Sequence, residues 1–214
     1  MPHEPETKRA MVFIDGQNLY HHSREAFGYS YPNYDVLKLA QLVCRNSGWN
    51  LERVHFYTGI PDEEDNAQWH RFWAAKLLQM SRQGVKIFSR ALRYRTKIIK
   101  YLGTSIPTKV GEEKGIDVRI ALDIIRLALR RKYDVAVVFS QDQDLSEVAK
   151  EIRQISKEQN RWIKMACAFP VSEKAKNTRG IMQADWIPIS KDQYDTCLDP
   201  NDYRLAIEGS ESAE

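Results

Sequence analysis

The sequence predicts an α/β protein, a three-layer α/β/α sandwich built on a mainly parallel central sheet. Short apolar runs alternate with stretches of helical periodicity along the chain, the order that produces parallel strands joined by crossover helices. Two of those runs, residues 11–14 and Val135-Ala136-Val137-Val138, are apolar without interruption, as strands covered on both faces are. A chain of 214 residues with 43% apolar content is enough for one substantial domain of this kind.

Each element has its own signal. Residues 1–9 are polar, contain two prolines and are expected to form a flexible leader. The first strand, residues 11–14, runs straight into Asp15-Gly16. A short helix is expected over residues 19–27, broken by residues 28–32. Asp35 then caps a helix over residues 36–44, with Val36, Leu37, Leu39, Ala40 and Val43 at helical spacing. Residues 53–58 form a second strand, closed by Gly59-Ile60-Pro61.

A long amphipathic helix follows over residues 65–83, with Trp69, Phe72, Trp73, Lys76, Leu77 and Met80 on one face. Gly84 ends it and residues 85–89 give a third strand. Residues 92–109 mix basic, aromatic and apolar side chains around Gly103, an excursion with the pattern of a hairpin. Residues 115–132 make the clearest helix and residues 134–139 the fourth strand. A helix over 145–157 and strands over 162–169 and 185–189 complete the pattern. No repeat or linker divides the chain, so a single domain over 10–198 is expected, with a polar tail over 199–214 that frays from about Asn201.

Lys and Arg number 32 against 29 Asp and Glu, and the net charge of +3 announces no polyanionic partner by itself. Functional charge must therefore come from local separation of sign. Cys44, Cys167 and Cys197 stand far apart with no CxxC pair, which argues against a disulfide framework or a structural zinc site. No histidine follows His70, so histidine-based zinc or acid–base chemistry finds little support. No stretch approaches the ~20 apolar residues of a membrane span, and no signal peptide is visible. The expectation is a soluble, cytoplasmic protein with no membrane partner.

The chemistry lies in carboxylates. Asp15 ends the first strand, and Asp142 with Asp144 follows the fourth in Phe139-Ser140-Gln141-Asp142-Gln143-Asp144. In a parallel sheet these carboxylates share one edge, and functional groups gather beyond the carboxyl ends of such strands. Asp117 begins the clearest helix, after Glu112-Glu113-Lys114-Gly115-Ile116. Converging carboxylates without His or Cys suit a hard cation, Mg²⁺ or Mn²⁺, and the chemistry that most often needs them is phosphodiester hydrolysis. Each also has a purely local explanation. Asp15 can be a turn former or helix cap, Asp144 with Glu147 resembles a capping box, and Asp117 suits a helix N-terminus. Asp123 points elsewhere on the helix than Asp117, toward a supporting or salt-bridge role.

Between Arg90 and Lys109 lie Arg93, Arg95, Lys97 and Lys100, with Tyr94 and Tyr101 interleaved and no acidic residue. Such a window can grip phosphates and stack bases, and it directly precedes Asp117. The alternative is a charged edge strand that discourages aggregation. Arg130-Arg131-Lys132 reads as a solvated helix end, and Tyr20-His21-His22 as surface or packing residues. The Trp69, Phe72 and Trp73 set reads as core, and offers a surface on which a second copy would make a homo-oligomer.

Three blocks resemble the NYN domain, a branch of the PIN-like nuclease superfamily that includes the LabA-like proteins. They are Phe13-Ile14-Asp15-Gly16-Gln17-Asn18-Leu19, Lys114-Gly115-Ile116-Asp117-Val118 with Asp123 following, and Tyr133-Asp134 through Gln141-Asp142-Gln143-Asp144-Leu145. Ala184-Asp185-Trp186-Ile187 resembles the family's closing strand more weakly, and the likeness spans roughly Arg9 to Ser190. The resemblance implies a Rossmannoid, PIN-like fold, an acidic pocket for Mg²⁺ or Mn²⁺, and RNA as the commonest substrate. Carried over by position, Asp15, Asp117, Asp142 and Asp144 form the metal and catalytic cluster. Asn18 binds near the metal or scissile phosphate and Ser140 shapes the loop, while Asp123 and Asp185 stand behind the cluster. The family usually has glycine where Gln141 stands, so a side chain there is expected to narrow the pocket or alter the loop.

The expected function is metal-dependent hydrolysis of nucleic acid, RNA more than DNA. Lys114, Arg90, Arg93, Tyr94, Arg95 and Lys97 are the expected substrate contacts, with Ser140. Two rivals stand beside it: an RNA-binding or scaffold protein that has lost turnover, and a Mg²⁺-dependent phosphoesterase acting on a small molecule.

Overall fold

The computed structural model describes residues 2–101 and 104–204. In chain order the first half contains β1 (Lys8–Asp15), α1 (Gly16–Phe27), α2 (Val36–Asn46), β2 (Trp49–Ile60), α3 (Glu63–Arg82) and β3 (Lys86–Ala91). An antiparallel pair, β4 (Arg93–Tyr101) and β5 (Thr104–Glu112), then projects as a hairpin outside the main sheet. The second half contains α4 (Ile116–Leu129), β6 (Val135–Phe139), a 3-10 turn at Gln143–Leu145, α5 (Ser146–Glu158), β7 (Lys164–Pro170), β8 (Asp185–Ile189) and α6 (Lys191–Asp195).

The main sheet has six strands in the order β3-β2-β1-β6-β7-β8, and every pairing is parallel. Its two central strands are the two uninterrupted apolar runs. Val12, Phe13, Ile14 and all of β6 are fully buried, because successive side chains on these strands enter two different cores. One core holds Val12, Ile14, Leu39, Phe56, Phe72 and Val137 under α1, α2 and α3. The other holds Phe13, Ile120, Ile124, Val138, Val148 and Ile152 under α4 and α5. The expected three-layer architecture follows.

Strand order reverses direction between β1 and β6. From β1 the chain works outward to β2 and β3, and from β6 it works outward to β7 and β8 on the other side. The connections on the two sides diverge there and leave a crevice beyond the carboxyl ends. Ile14 pairs with Phe139, so Asp15 and the loop after β6 both open into it.

Long-range contacts adjust several expected boundaries. The leader is shorter than residues 1–9, because β1 begins at Lys8. The Arg9 backbone N–H and guanidinium both donate to the Asp134 carboxylate at 3.0 Å and draw the segment into the sheet. The long helix is capped by Asp62 and interrupted at Asn66, whose φ is −159°. The segment expected to be tail from residue 199 begins as packed structure. Asp199 pairs at 2.8 Å with Lys76, and Tyr203 packs edge-on against Phe72. Short α6 carried no apolar period, but Ser190 and Gln193 form a reciprocal capping box at its start. Among the described residues no helix is long and apolar enough to cross a membrane.

Candidate active site

Asp15 stands where β1 becomes α1, and its position follows from local capping. Its backbone is extended, and its Oδ1 accepts the Asn18 N–H at 3.0 Å. Asp142 repeats the arrangement after β6, capping the 3-10 turn by accepting the Asp144 N–H at 3.0 Å. Asp117 lies in the first turn of α4. Gly115 precedes that helix with a φ of +71°, and an added Cβ would fall 2.9 Å from an Arg90 guanidinium nitrogen. Glycine lets the chain turn there while Arg90 lies close.

These pieces meet in one cleft of about 430 Å³ at the reversal point, lined by Asp15, Glu113, Lys114, Asp117, Val118 and Asp142. Glu113 is the member that the motifs did not single out. It arrives at the end of the projecting hairpin and accepts a hydrogen bond from the Gly59 N–H. Gly59 permits this approach, since a Cβ there would sit 2.4 Å from the Leu92 side chain and 3.0 Å from Glu113. The available signal was the Glu112-Glu113 pair that stands a few residues before Asp117 in the Glu112-Glu113-Lys114-Gly115 block.

The cleft is electrostatically unsettled. Burial pushes the Asp15 carboxyl up to about 6, against the Asn18 N–H, and the charges of Asp142 and Asp117 push it further up. Burial likewise pushes Glu113 up to about 8, with Asp15 and Asp117 adding to it and the Gly59 N–H opposing. An oxygen-only donor set in this condition is chemically suited to a hard cation. Its geometry is open, because among the described residues no three His, Cys, Asp or Glu side chains are grouped closely enough to hold a metal ion. The carboxylates share a cleft without forming a coordination shell.

The NYN domain family matches residues 9–178 of the chain. This protein is an NYN-domain protein. The domain belongs to the PIN-like nuclease superfamily, which agrees with the three-layer fold. A Vibrio parahaemolyticus protein of unknown function is similar in structure, with a TM-score of 0.51 and 19% identity over 89% of this chain and 98% of that one. At that identity the likeness concerns the fold. MurG from Acinetobacter baumannii matches with a TM-score of 0.32 and 10% identity over 85% of this chain and 45% of its own. No curated protein matches the sequence.

The NYN motif residues divide into those the fold gathers and those it does not. Asp15, Lys114, Asp117 and Asp142 line the cleft, whereas Asp144 is exposed and outside its lining. Asp144 does not cap α5 either, since Leu145 holds the cap position without a side-chain bond. Asn18 Oδ1 accepts the Gln141 N–H at 2.9 Å, tying α1 to the loop after β6. Ser140 is buried and shapes that loop, its Oγ accepting the Asp142 N–H at 3.2 Å. Asp123 is a buried ion-pair hub that accepts from Arg119, Arg126 and Tyr57 at 2.8–3.1 Å. Asp185 lies at the opposite, amino end of its strand, paired with Lys164 at 2.7 Å.

Gln141 does not narrow the cleft of this NYN domain. Its side chain turns away, buried, and its Nε2 donates to the carbonyls of Asn177 at 3.2 Å and Arg179 at 2.8 Å. The basic window forms the hairpin, but part of its charge is spoken for. Arg95 and Lys97 both face Glu112, Lys109 pairs with Asp65, and Tyr94 accepts the Asp62 N–H at 3.1 Å. Arg90 stacks on Phe88 with its guanidinium carbon 5.2 Å from the ring centre, and Arg93 is exposed. Gly103 and the side chains of Lys100 and Tyr101 lie outside the described residues. Tyr20 and His21 border a separate hollow with Trp69 and Leu92, while Phe72 and Trp73 belong to the chain's own core.

Proposed function

We propose that this NYN domain is a metal-dependent endonuclease that hydrolyses RNA, with Mg²⁺ or Mn²⁺ as its cofactor. The observation that carries this reading is the convergence of Asp15, Glu113, Asp117 and Asp142 on one cleft at the strand-order reversal. Asp15, Glu113, Asp117 and Asp142 would supply oxygen ligands from the cleft walls, with Glu113 taking the place that sequence position gave to Asp144. Water would complete the shell, because no three of them are grouped closely enough to hold an ion by themselves. A bound cation of this kind activates water and neutralises charge in phosphodiester hydrolysis, leaving a 5′-phosphate and a 3′-hydroxyl.

The chain's own residues supply position and charge. The Asn18 N–H fixes the Asp15 carboxylate, and the Asp144 N–H fixes that of Asp142. Lys114 in the cleft wall and Arg90 beside Gly115 provide cations for a polyanionic backbone. The hairpin adds Arg93, with Arg95 and Lys97 held through Glu112, along one approach to the cleft. Preference for RNA comes from the family resemblance, and a cytoplasmic location from the absence of paired cysteines.

A second reading, an RNA-binding protein without turnover, draws on the open spacing of the carboxylates. One experiment separates them. Wild type and Asp142→Asn are incubated with single-stranded RNA and DNA oligonucleotides in Mg²⁺, in Mn²⁺ and in EDTA. Cation-dependent cutting of RNA by the wild type alone is the expected result. Binding by both proteins without cutting under any condition would replace the nuclease with the inert binder.

A further inference from the structure

The two glutamines that flank Asp142 both bond the connection between β7 and β8, and Gln143 lines a second cavity there. Gln141 reaches Asn177 and Arg179, as described. Gln143 Nε2 donates to the Gly180 carbonyl at 3.1 Å, and its Oε1 accepts the Met182 N–H at 3.1 Å. Cys167 Sγ completes the set by accepting the Ile181 N–H at 3.3 Å. The connection between β7 and β8 is thereby held against the loop that carries Asp142. A glycine at position 141 would lack the side-chain amide that makes two of these bonds.

The connection encloses a hollow of about 540 Å³ lined by Gln143, Asn177, Arg179, Met182, Gln183 and Trp186. That volume lies within the ~300–1,000 Å³ typical of small-ligand sites. Trp186 is fixed but uncovered. Its Nε1 donates to the Ile181 carbonyl at 2.8 Å, and its ring meets Phe169 edge-on at 6.3 Å, yet it remains 47% exposed. Gly180 makes room for the ring, since a Cβ there would fall 2.7 Å from Trp186 Cδ1. Met182 is 62% exposed beside it. Gln183 is held at a φ of +66°, with Arg153 bonded to its carbonyl and side chain. Among the described residues nothing pairs with the Arg179 guanidinium at the rim.

A clamped, half-exposed indole next to a free guanidinium suits a flat aromatic group attached to a phosphate. The hollow and the acidic cleft are neighbours along one loop, because Asp142 lines one and Gln143 the other. We infer that this cavity is a nucleobase subsite: one unpaired base of a single-stranded RNA stacks on Trp186 and Met182, and its phosphate meets Arg179. Gln141 and Gln143 act as positioning residues for it. The inference rests on the nucleic-acid reading of the neighbouring cleft and adds where the strand runs and what holds a base.

The test measures anisotropy of labelled single strands in Mg²⁺, with Asp142→Asn as the background that blocks turnover. The probes are a short oligouridylate and an abasic sugar–phosphate chain of equal length. Trp186→Ala should weaken oligouridylate binding about 5- to 150-fold, the range for losing one stacked base, and leave the abasic chain unchanged. Trp186→Phe should restore most of the loss. Arg179→Gln, at an exposed position where folding is not at issue, should weaken both chains.

Equal loss for both probes on Trp186→Ala, or no loss for either, overturns the base site. Self-association that disappears in Trp186→Ala, with RNA binding unchanged, would overturn it in favour of a second copy on this face. The two readings fail separately. Cation-dependent cleavage with base-independent binding keeps the nuclease and removes the subsite. Base-selective binding without cleavage in any cation keeps the subsite and removes the nuclease. No binding of either probe removes both.

Discussion

Asn18 Oδ1 accepts the backbone N–H of Gln141 at 2.9 Å, joining the first turn of α1 to the loop after β6. The bond sets Asp15 and Asp142 opposite each other across the reversal point. Asn18→Ala should leave a part-buried N–H without its acceptor and cost about 1–3 kcal/mol in urea denaturation. RNA cleavage should fall more than stability explains, because the two loops lose their tie. An unchanged denaturation midpoint with unchanged cleavage would remove this role.

The carboxylates should rank by whether they line the cleft. Asp142→Asn, Asp117→Asn and Glu113→Gln are each expected to reduce cleavage by orders of magnitude, with circular dichroism unchanged. Asp144→Ala should retain most activity, since its side chain is exposed outside the cleft. Equal losses at Asp144 and Asp142 would return Asp144 to the ligand set.

Gly59→Ala tests the approach of the hairpin to the cleft. The new Cβ would overlap Leu92 and press on Glu113. Overpacking of this type costs roughly 1–3 kcal/mol. The variant should lose stability and also lose cleavage through a displaced Glu113. The combined change Gly59→Ala with Leu92→Ala should recover stability, as read by the urea midpoint.

Lys76 lies buried in α3, donating to the Asp199 carboxylate and the Tyr34 carbonyl, each at 2.8 Å. Burial pushes its ammonium below its usual value and Asp199 opposes that shift. Asp199→Ala should leave the charge uncompensated and destabilise by roughly 3–5 kcal/mol, whereas Lys76→Met with Asp199→Ala should recover much of it. Truncation after residue 198 should act like Asp199→Ala in thermal denaturation.

His55 sets an acid limit on the fold. Its ring stacks between Phe13 at 5.2 Å and Tyr57 at 6.4 Å, and its Nε2 is buried without a partner among the described residues. Burial pushes the imidazole down to about 4, with Asp123 opposing. The folded form stays neutral while the unfolded chain takes up a proton below ~6.5. The stability contributed is therefore present above that value and lost as the pH falls toward about 4, by up to ~3 kcal/mol. Urea midpoints at neutral pH and in mild acid should converge in His55→Gln relative to wild type. Asp15 and Glu113, whose values are raised, gain stability over the same window, so the readout is the difference between the two proteins. An equal response to acid in wild type and His55→Gln would refute this assignment.

Sequence pattern alone located the sheet, most helices and the strand-end positions of Asp15 and Asp142, whereas only the family resemblance grouped Asp117 with them. These features are local. An uninterrupted apolar run needs two covered faces, a carboxylate at a strand end caps the next helix, and the period of α2 reads from five apolar positions. Tertiary structure decided what those residues meet. Glu113 enters the cleft because the hairpin returns past Gly59, and Asp144 leaves it because the 3-10 turn points its side chain to solvent. Arg95, Lys97 and Lys109 find carboxylates that no spacing rule connects to them. Gln141, a departure from the family's glycine, turns from the cleft to hold the β7–β8 connection. Periodicity records which face of an element is buried, but loop paths and pairings between residues far apart in sequence are settled only when the packed elements bring them together.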